Sequence, residues 1–375
     1  MQVLVLTIVH NPDDARIRHR QIGALLKRHI QVTYAAPFHA FNTPKMVDKA
    51  LRTIDLPRAT GRRRLRAIFA ARRLLKREAP KHDVVLIHDP ELLISLAGTR
   101  IRNVVWDVHE DTAAAIEAKG WVPGWLRRPL AKIVRGFERR AEKKYALLLA
   151  EYEYQDRFKK RHAVVPNTVL PVKTPTTTQN ERIVYLGSIT RARGADVLCT
   201  LGRQLADRRD LPIELHVIGP AWDSESRTLM EAAHARGDLI WHGFQPQTVA
   251  LDALNGALAG LSFLADLPNY RHSMPTKVLE YMGHGVPVIT TPLPLPARLV
   301  RQSECGFIVP FDDAASALVH IETLFHDLES AAKMGRRGWE VVKQSYDWAD
   351  AVEVLVQSLE KARIAPTAGR AINND

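Results

Sequence analysis

A chain of 375 residues with 46% hydrophobic and 25% charged side chains is too long for one ordinary domain and too apolar for wholesale disorder. Its 53 basic and 41 acidic residues leave a net charge of +12. No apolar run reaches the ~18 residues a spanning helix needs. Residues 1–9 lack the basic start and small-residue cleavage site of a signal peptide. Cys199 and Cys305 are too few for a disulfide framework or a structural zinc site, so a cytoplasmic, metal-free body is expected.

Residues 3–9 read as a buried strand. A helix carrying Ile17, Gln21, Leu25 and Leu26 follows and ends near Arg28, and residues 30–34 form the next strand. This β-loop-α-β opening predicts a doubly wound sheet. Residues 62–77 form a basic helix. Residues 84–87 and 104–108 are strands, followed by His88-Asp89-Pro90-Glu91 and His109-Glu110-Asp111. Polar residues at the carboxyl ends of parallel strands are where α/β proteins hold ligands. A second basic helix over 126–145 leads to strands at 147–150 and 164–165. Residues 171–181, with Pro171, Pro175 and three threonines, read as a linker.

The pattern then restarts. Strands are expected at 183–186, 213–218, 239–241, 260–264 and 286–290, the first two ending in Gly187 and Gly219. Helices are expected at 198–205, 249–258, 277–284, 314–326, 328–343 and 346–361. The expected domains are 1–168, rejoined by the last helix at about 346–362, and 182–345, with a polar tail at 363–375.

Charge divides unevenly. Residues 1–168 hold 33 basic and 17 acidic side chains; residues 169–375 hold 20 and 24. Net charge shapes association, so the basic half suggests nucleic acid, an anionic membrane face or an anionic substrate, against a merely solvated basic surface. The helix at 62–77 and the segment 121–144 carry the excess, the latter with Trp121, Trp125, Leu130, Ile133 and Phe137 among its cations. Basic residues beside Trp, Leu and Phe suit a helix lying in a membrane interface. No nucleic-acid motif is present.

Asn269-Tyr270-Arg271-His272-Ser273-Met274-Pro275-Thr276-Lys277 leads into Val278-Leu279-Glu280-Tyr281-Met282. On a helix, Lys277, Glu280 and His284 share one face. Thr276 can cap that helix, whose free N–H groups favour an anion. Lys277 is a phosphate candidate because a cation at a helix start opposes the dipole unless an anion sits there. Glu280 can accept from two vicinal hydroxyls, and a plain Lys–Glu surface pair is an equal alternative. The loop Gly187-Ser188-Ile189-Thr190-Arg191-Ala192-Arg193-Gly194 follows a strand, and its arginines suit a diphosphate.

Together these segments resemble the retaining glycosyltransferases of family 4, over nearly the whole chain. Asn269-Tyr270, Ser273-x-Pro275-Thr276-Lys277 and Glu280-Tyr281-Met282 are similar to a bacterial polysaccharide-type subgroup. His88-Asp89-Pro90-Glu91-Leu92, Asp107-Val108-His109-Glu110-Asp111 and a first loop with His10, Asp14, Arg16 and Ile17 are similar to it too. The resemblance implies a GT-B fold, two Rossmann-like α/β domains facing a central cleft, with the last helix crossing back to the first domain. Against the family's glycine-rich loop, Ser188 replaces an arginine and Arg193 a lysine. In its Glu-x7-Glu element, Glu280 matches the ribose-binding glutamate and His272 stands where the other would be.

The resemblance implies a retaining hexosyltransferase that moves a sugar from a uridine diphosphate donor to a saccharide, lipid-linked or small-molecule acceptor, with no cofactor or metal. Its donor set is Gly187, Ser188, Arg191, Arg193, Gly219, His272, Ser273, Met274, Pro275, Thr276, Lys277 and Glu280. His109, Arg193 and Lys277 are its catalytic candidates. His10, Asp14, Arg16, His88, Glu110 and Asp111 form the acceptor set, with Glu110 and Asp111 read either as a base or as helix-start acids. A nucleotide-sugar epimerase of the same fold, or a non-catalytic basic adaptor, are the alternatives. A peripheral place at the inner face of the cell membrane would suit the basic first domain.

Overall fold

The computed structural model describes residues 1–44, 49–109, 111–118, 123–179 and 181–363. Glu110, Trp121 and the tail from residue 364 therefore lie outside the described residues. The chain divides into two compact units, Met1–Pro166 with Asp350–Asp375, and Asn167–Ala349.

The first unit is a parallel sheet of seven strands: β1 (Gln2–Leu6), β2 (Gln31–Ala36), β3 (Leu51–Asp55), β4 (Val84–Ile87), β5 (Val104–Val108), β6 (Ala146–Leu149) and β7 (Ala163–Val164). Their spatial order is β3-β2-β1-β4-β5-β6-β7. The chain first winds outward from β1, then crosses back to add β4 on its other side. Adjacent loops therefore diverge at the β1/β4 boundary and open a crevice at the strands' carboxyl ends. Every residue of β4 and β5 is buried, as a strand covered on both faces requires. Leu4, Leu6, Val85, Ile87, Val104 and Trp106 pack on one face against Ile68, Leu74 and Leu75 of the helix Arg64–Glu78.

The last helix, Trp348–Ala362, belongs to this unit from Asp350 on. Arg28 pairs there with Glu353, and Leu355 and Leu359 are buried.

The second unit is a parallel sheet of six: β8 (Arg182–Leu186), β9 (Glu214–Ile218), β10 (Ile240–Trp241), β11 (Ala259–Ser262), β12 (Val288–Thr290) and β13 (Gly306–Ile308). The order β10-β9-β8-β11-β12-β13 places its own reversal between β8 and β11. Alternate residues feed two cores, Ile183 and Tyr185 to one face, Val184 and Leu186 to the other.

Several elements differ from the sequence expectation. β3, β13 and the helices Ser224–Ala235 and Pro294–Ser303 were not anticipated. The helix expected over 249–258 is only Gln247–Asp252, because the chain must turn at Gly256 (φ 76°) to enter β11. The expected linker is not free: the Val172 N–H donates to Gly283 O at 3.0 Å, and Gln179 N–H to Gly256 O at 2.9 Å. These two backbone groups tie both ends of the segment to the second unit.

Candidate active site

Each unit gathers its polar side chains at its own sheet reversal. In the first unit two buried carboxylates organise the carboxyl ends of β1, β4 and β5. Asp89, just past β4, accepts from the Thr7 hydroxyl (3.0 Å) and the Ile8 N–H, and lies 3.3 Å from His10 Nε2. It thereby fixes the loop leaving β1. Asp107, inside β5, accepts from Arg16 Nε (2.8 Å), Arg16 Nη2 (2.6 Å) and Gln21 Nε2 (2.9 Å), and lies 3.2 Å from His88 Nδ1. Burial opposes its ionisation, but the Arg16 charge and hydrogen bonds, with His88, outweigh it and hold the carboxyl well below the usual range.

Three imidazoles sit over this base. His10 Nε2 and His109 Nε2 are 3.0 Å apart, so one nitrogen donates and the other accepts. The rings of His88 and His109 are centred 5.7 Å apart. His88, Asp107 and His109 bring ligand atoms within 4.8 Å of one another. The Asp107 oxygens are already occupied by a guanidinium and an amide, so a cation would have to displace Arg16 there. The Arg16 charge, 2.6 Å from the carboxylate, would repel a second cation placed beside it.

This arrangement revises several acceptor assignments. The Arg16 guanidinium is bound to Asp107 and donates to Val165 O at 2.8 Å, so it braces the site instead of facing a ligand. The His88 side chain is fully buried and offers no surface to an acceptor. Asp14 caps its own helix by accepting from the Arg16 and Ile17 N–H groups. Asp111 accepts from the Ala114 N–H (2.9 Å) and from Arg135 (2.8 Å). Burial opposes its ionisation, yet Arg157 and Arg135 hold its carboxyl below the usual range, so it is a helix-start acid and a poor base. His10 and His109 keep partial exposure. Sequence reasoning missed Asp89 and Asp107 as organisers, although both stand inside the strand-end motifs.

A cavity of 490 Å³ at the carboxyl end of β3 was also missed. It is lined by Arg58, Arg63 and Arg66, with Asp55 as its only acid among the described residues. Arg58 stacks on Phe41, 4.1 Å from the ring centre, and burial lowers its pKa.

In the second unit the helix Thr276–Gly283 is bolted onto β8 and β11. Tyr281 donates its hydroxyl to Leu261 O and accepts the Leu186 N–H, both at 2.9 Å. Any Cβ at Gly260 would lie 2.3 Å from the Tyr281 ring, so only glycine admits this approach. Pro275 precedes the helix and no side chain caps it. Thr276, expected as the cap, is its first residue, and the opening N–H groups have no side-chain cap.

Lys277 is buried, and its ammonium has no hydrogen-bond partner among the described residues. It lies 3.5 Å from the centre of the Tyr185 ring. A Cβ on Gly187 would stand in ordinary contact with the amine, 3.7 Å from Nζ, and it is the φ of 110° that favours glycine there. Burial first, then the nearby Arg193 charge, push the Lys277 pKa well down, with Glu280 opposing. Two cations close together in a dry place, with half-buried Glu280 beside them, form a site lacking its anion.

Tyr185 shapes the loop by donating to Ser188 O (3.0 Å) and Arg193 O (3.2 Å), and Gly219 closes against Gly187 O, where any Cβ would meet it at 2.0 Å. Trp222 donates to the Ser188 hydroxyl at 3.3 Å. Arg191 differs from its expected donor role, since it pairs with Glu225 (3.0 Å) and Asp196 (3.6 Å). His272 is exposed, Ser273 is half-buried and Met274 is buried.

Residues 168–341 match the family model described as glycosyl transferases group 1. The second unit is thus similar, over nearly its whole length, to the group 1 glycosyl transferases. Over 187 residues, 48% of its length, the chain is 26% identical to a D-inositol 3-phosphate glycosyltransferase of Arthrobacter sp. strain FB24, covering 42% of that protein. It is 25% identical over 180 residues, 47% of the chain, to the putative colanic acid biosynthesis glycosyltransferase WcaL of Escherichia coli K12, covering 44% of it. The match spans less than half the length of these curated relatives.

The whole fold is GT-B. Sucrose-phosphate synthase of Thermosynechococcus elongatus superposes with a TM-score of 0.72 at 16% identity, covering 96% of this chain and 98% of that one. Anabaena Alr3699/HepE in complex with UDP-glucose does so at 0.69 and 12%, covering 96% and 100%. In the second unit, the unpartnered Lys277 and the Gly187 loop both stand at the sheet reversal. No helix among the described residues is long and apolar enough to cross a membrane.

Proposed function

We propose that the chain transfers a hexose from a nucleoside diphosphate sugar, with uridine as the base, to a saccharide, lipid-linked or small-molecule acceptor. The configuration at the anomeric carbon is retained and no metal is required. The observation that carries this reading is the buried, unpartnered ammonium of Lys277 beside Arg193 and an uncapped helix start. A diphosphate supplies the missing anion. Glu280, one turn along the same face, accepts from the ribose hydroxyls. HepE was solved with UDP-glucose, which supports the choice of base.

In the reaction the bond from the anomeric carbon to the diphosphate oxygen breaks as the acceptor oxygen bonds to that carbon on the same face. The acceptor's proton passes to the departing diphosphate oxygen. Lys277 and Arg193 stabilise the charge that grows there, in a water-poor site where such charges count most. This is the work a metal does elsewhere, and the reason none is invoked. In the first unit, partly exposed His109, braced by Asp107, is assigned to the reacting sugar. The arginine-lined cavity of that unit favours an acceptor that carries negative charge, and its basic surface a peripheral place on a membrane.

Titration calorimetry with uridine diphosphate, followed by a hydrolysis screen across nucleotide sugars, tests the reading. Heat of binding that is lost in Lys277→Met supports it. An adaptor protein would give no heat with any nucleoside diphosphate, and that result would refute the reading.

A further inference from the structure

The helix Gly124–Lys144 is turned inside out. Its buried residues are Ala131, Glu138, Ala141 and Glu142. Glu138 accepts from Arg135 at 3.0 Å and pairs with Arg157; Glu142 accepts the Lys159 and Lys160 N–H groups, each at 2.7 Å. The acids therefore fasten the helix inward. Its large apolar side chains point outward: Trp125 is 77% exposed, Ile133 55%, Phe137 39% and Leu130 37%.

At 100° per residue, Leu126, Leu130, Ile133 and Phe137 fall within an arc of about 60°. Arg128, Lys132, Arg139, Arg140 and Lys143 fall in the adjoining arc, and none of these five makes a side-chain ion pair or hydrogen bond with another described residue. A second strip repeats the theme: Leu65 and Phe69 on the helix Arg64–Glu78 are 67% and 58% exposed among Arg66, Arg73 and Lys76. Both helices contribute to the core on the same face of the first sheet.

We infer that this outer helical surface of the first unit docks on an anionic lipid bilayer, with the Leu130–Phe137 stripe at the acyl boundary and the flanking cations among the lipid phosphates. Charge complementarity selects the occupant. A second copy would bring the same cations into contact, and a nucleic acid would use the cations but leave the apolar stripe in water. Aliphatic and aromatic side chains lying beside unpaired Arg and Lys fit an interface that is apolar below and anionic above. The inference deepens the membrane side of the proposed function and stands on the first unit alone.

The test is co-sedimentation of the full chain with phosphatidylglycerol vesicles and with neutral phosphatidylcholine vesicles, at low and high salt, with uridine diphosphate calorimetry on the same samples. The chain is expected to pellet with the anionic vesicles only, less so at high salt, since exposed charges are screened over ~10 Å at 0.1 M. Arg139→Glu with Arg140→Glu should weaken partitioning by at least about 25-fold, roughly fivefold for each cation lost. Ile133→Ser with Phe137→Ser should weaken it as well, and should remove the binding that survives salt. The uridine diphosphate heat should be the same in all these variants, and their circular dichroism and thermal melting should match the parent chain, which together show that both units are folded.

Failure to pellet with phosphatidylglycerol at low salt, with that heat intact, overturns the docking inference and leaves the proposed function standing. So does binding that responds to the charge pair but not to the apolar pair, because the surface would then be a site for polyanions. Vesicle binding without any uridine diphosphate heat overturns the donor assignment instead.

Discussion

The two units each bury charge at the sheet reversal, and they treat it in opposite ways. Asp107 is fully enclosed and answered by Nε and Nη2 of Arg16 and by Gln21, with His88 Nδ1 3.2 Å away. The Lys277 ammonium is also out of solvent and has, among the described residues, only the face of Tyr185 and the more distant Glu280. A buried charge that is satisfied holds a structure together; one that is not satisfied waits for a ligand. The carboxylate of the first unit is therefore a brace, and the ammonium of the second is a binding group.

The contrast breaks most visibly at Asp107. Asp107→Ala takes away the carboxylate that holds two nitrogens of the buried Arg16 guanidinium and leaves that charge under-compensated, so a loss of about 3–5 kcal/mol is expected in denaturant unfolding. Because its pKa in the fold is held below the unfolded value of ~3.9, its stabilisation is complete above that pH and vanishes as pH falls through the folded value. Asp107→Asn should flatten this acid limb. An unchanged acid limb would deny Asp107 its bracing role.

Lys277→Met is expected to do the reverse, leaving the fold intact or more stable while donor affinity falls by ~1.5–3 kcal/mol, tenfold or more, in calorimetry. Glu280→Gln should lower affinity in the same direction by a smaller amount. Since burial and Arg193 depress the Lys277 pKa, the unfolded chain holds this proton more tightly than the fold does. Stability therefore rises with pH between the folded value and ~10.4. A diphosphate restores the proton, so uridine diphosphate binding should take up protons at a pH where the free amine is partly neutral. Heats measured in buffers of different ionisation enthalpy report this uptake, and Lys277→Met should abolish it.

A smaller effect, on the order of tenfold in turnover at saturating donor, is expected for His109→Ala, with donor affinity little changed. A fall in donor affinity alone would move His109 to a binding role. The smallest expected effect is none: turnover should survive a chelator. Loss of turnover that magnesium or manganese restores would show that Lys277 and Arg193 do not neutralise the diphosphate unaided.

What could be read from the sequence follows the range of the interactions involved. Lys277 and Glu280 were legible because three-residue spacing on a helix is a local rule, and the restart of β/α alternation after the Pro- and Thr-rich stretch marked a second unit. β13 and β10 are three and two residues long, too short for a period to declare itself, and only β10 was anticipated. The glycosyltransferase likeness of the second unit was likewise legible in contiguous segments, Gly187 to Gly194 and Asn269 to Met282.

The sequence by itself determined two parallel α/β sheets, a basic first half and a cationic helix start in the second. Only the tertiary structure decided which charges are free. Arg16 and Asp107 stand 91 positions apart and became one brace; Arg191, a neighbour of Arg193, was drawn off to Glu225; and the apolar residues of the basic helix were turned away from the core by two inward glutamates. The reason is physical: periodicity and spacing act within a few residues, whereas desolvation and ion pairing are settled by whichever groups the sheet order brings together.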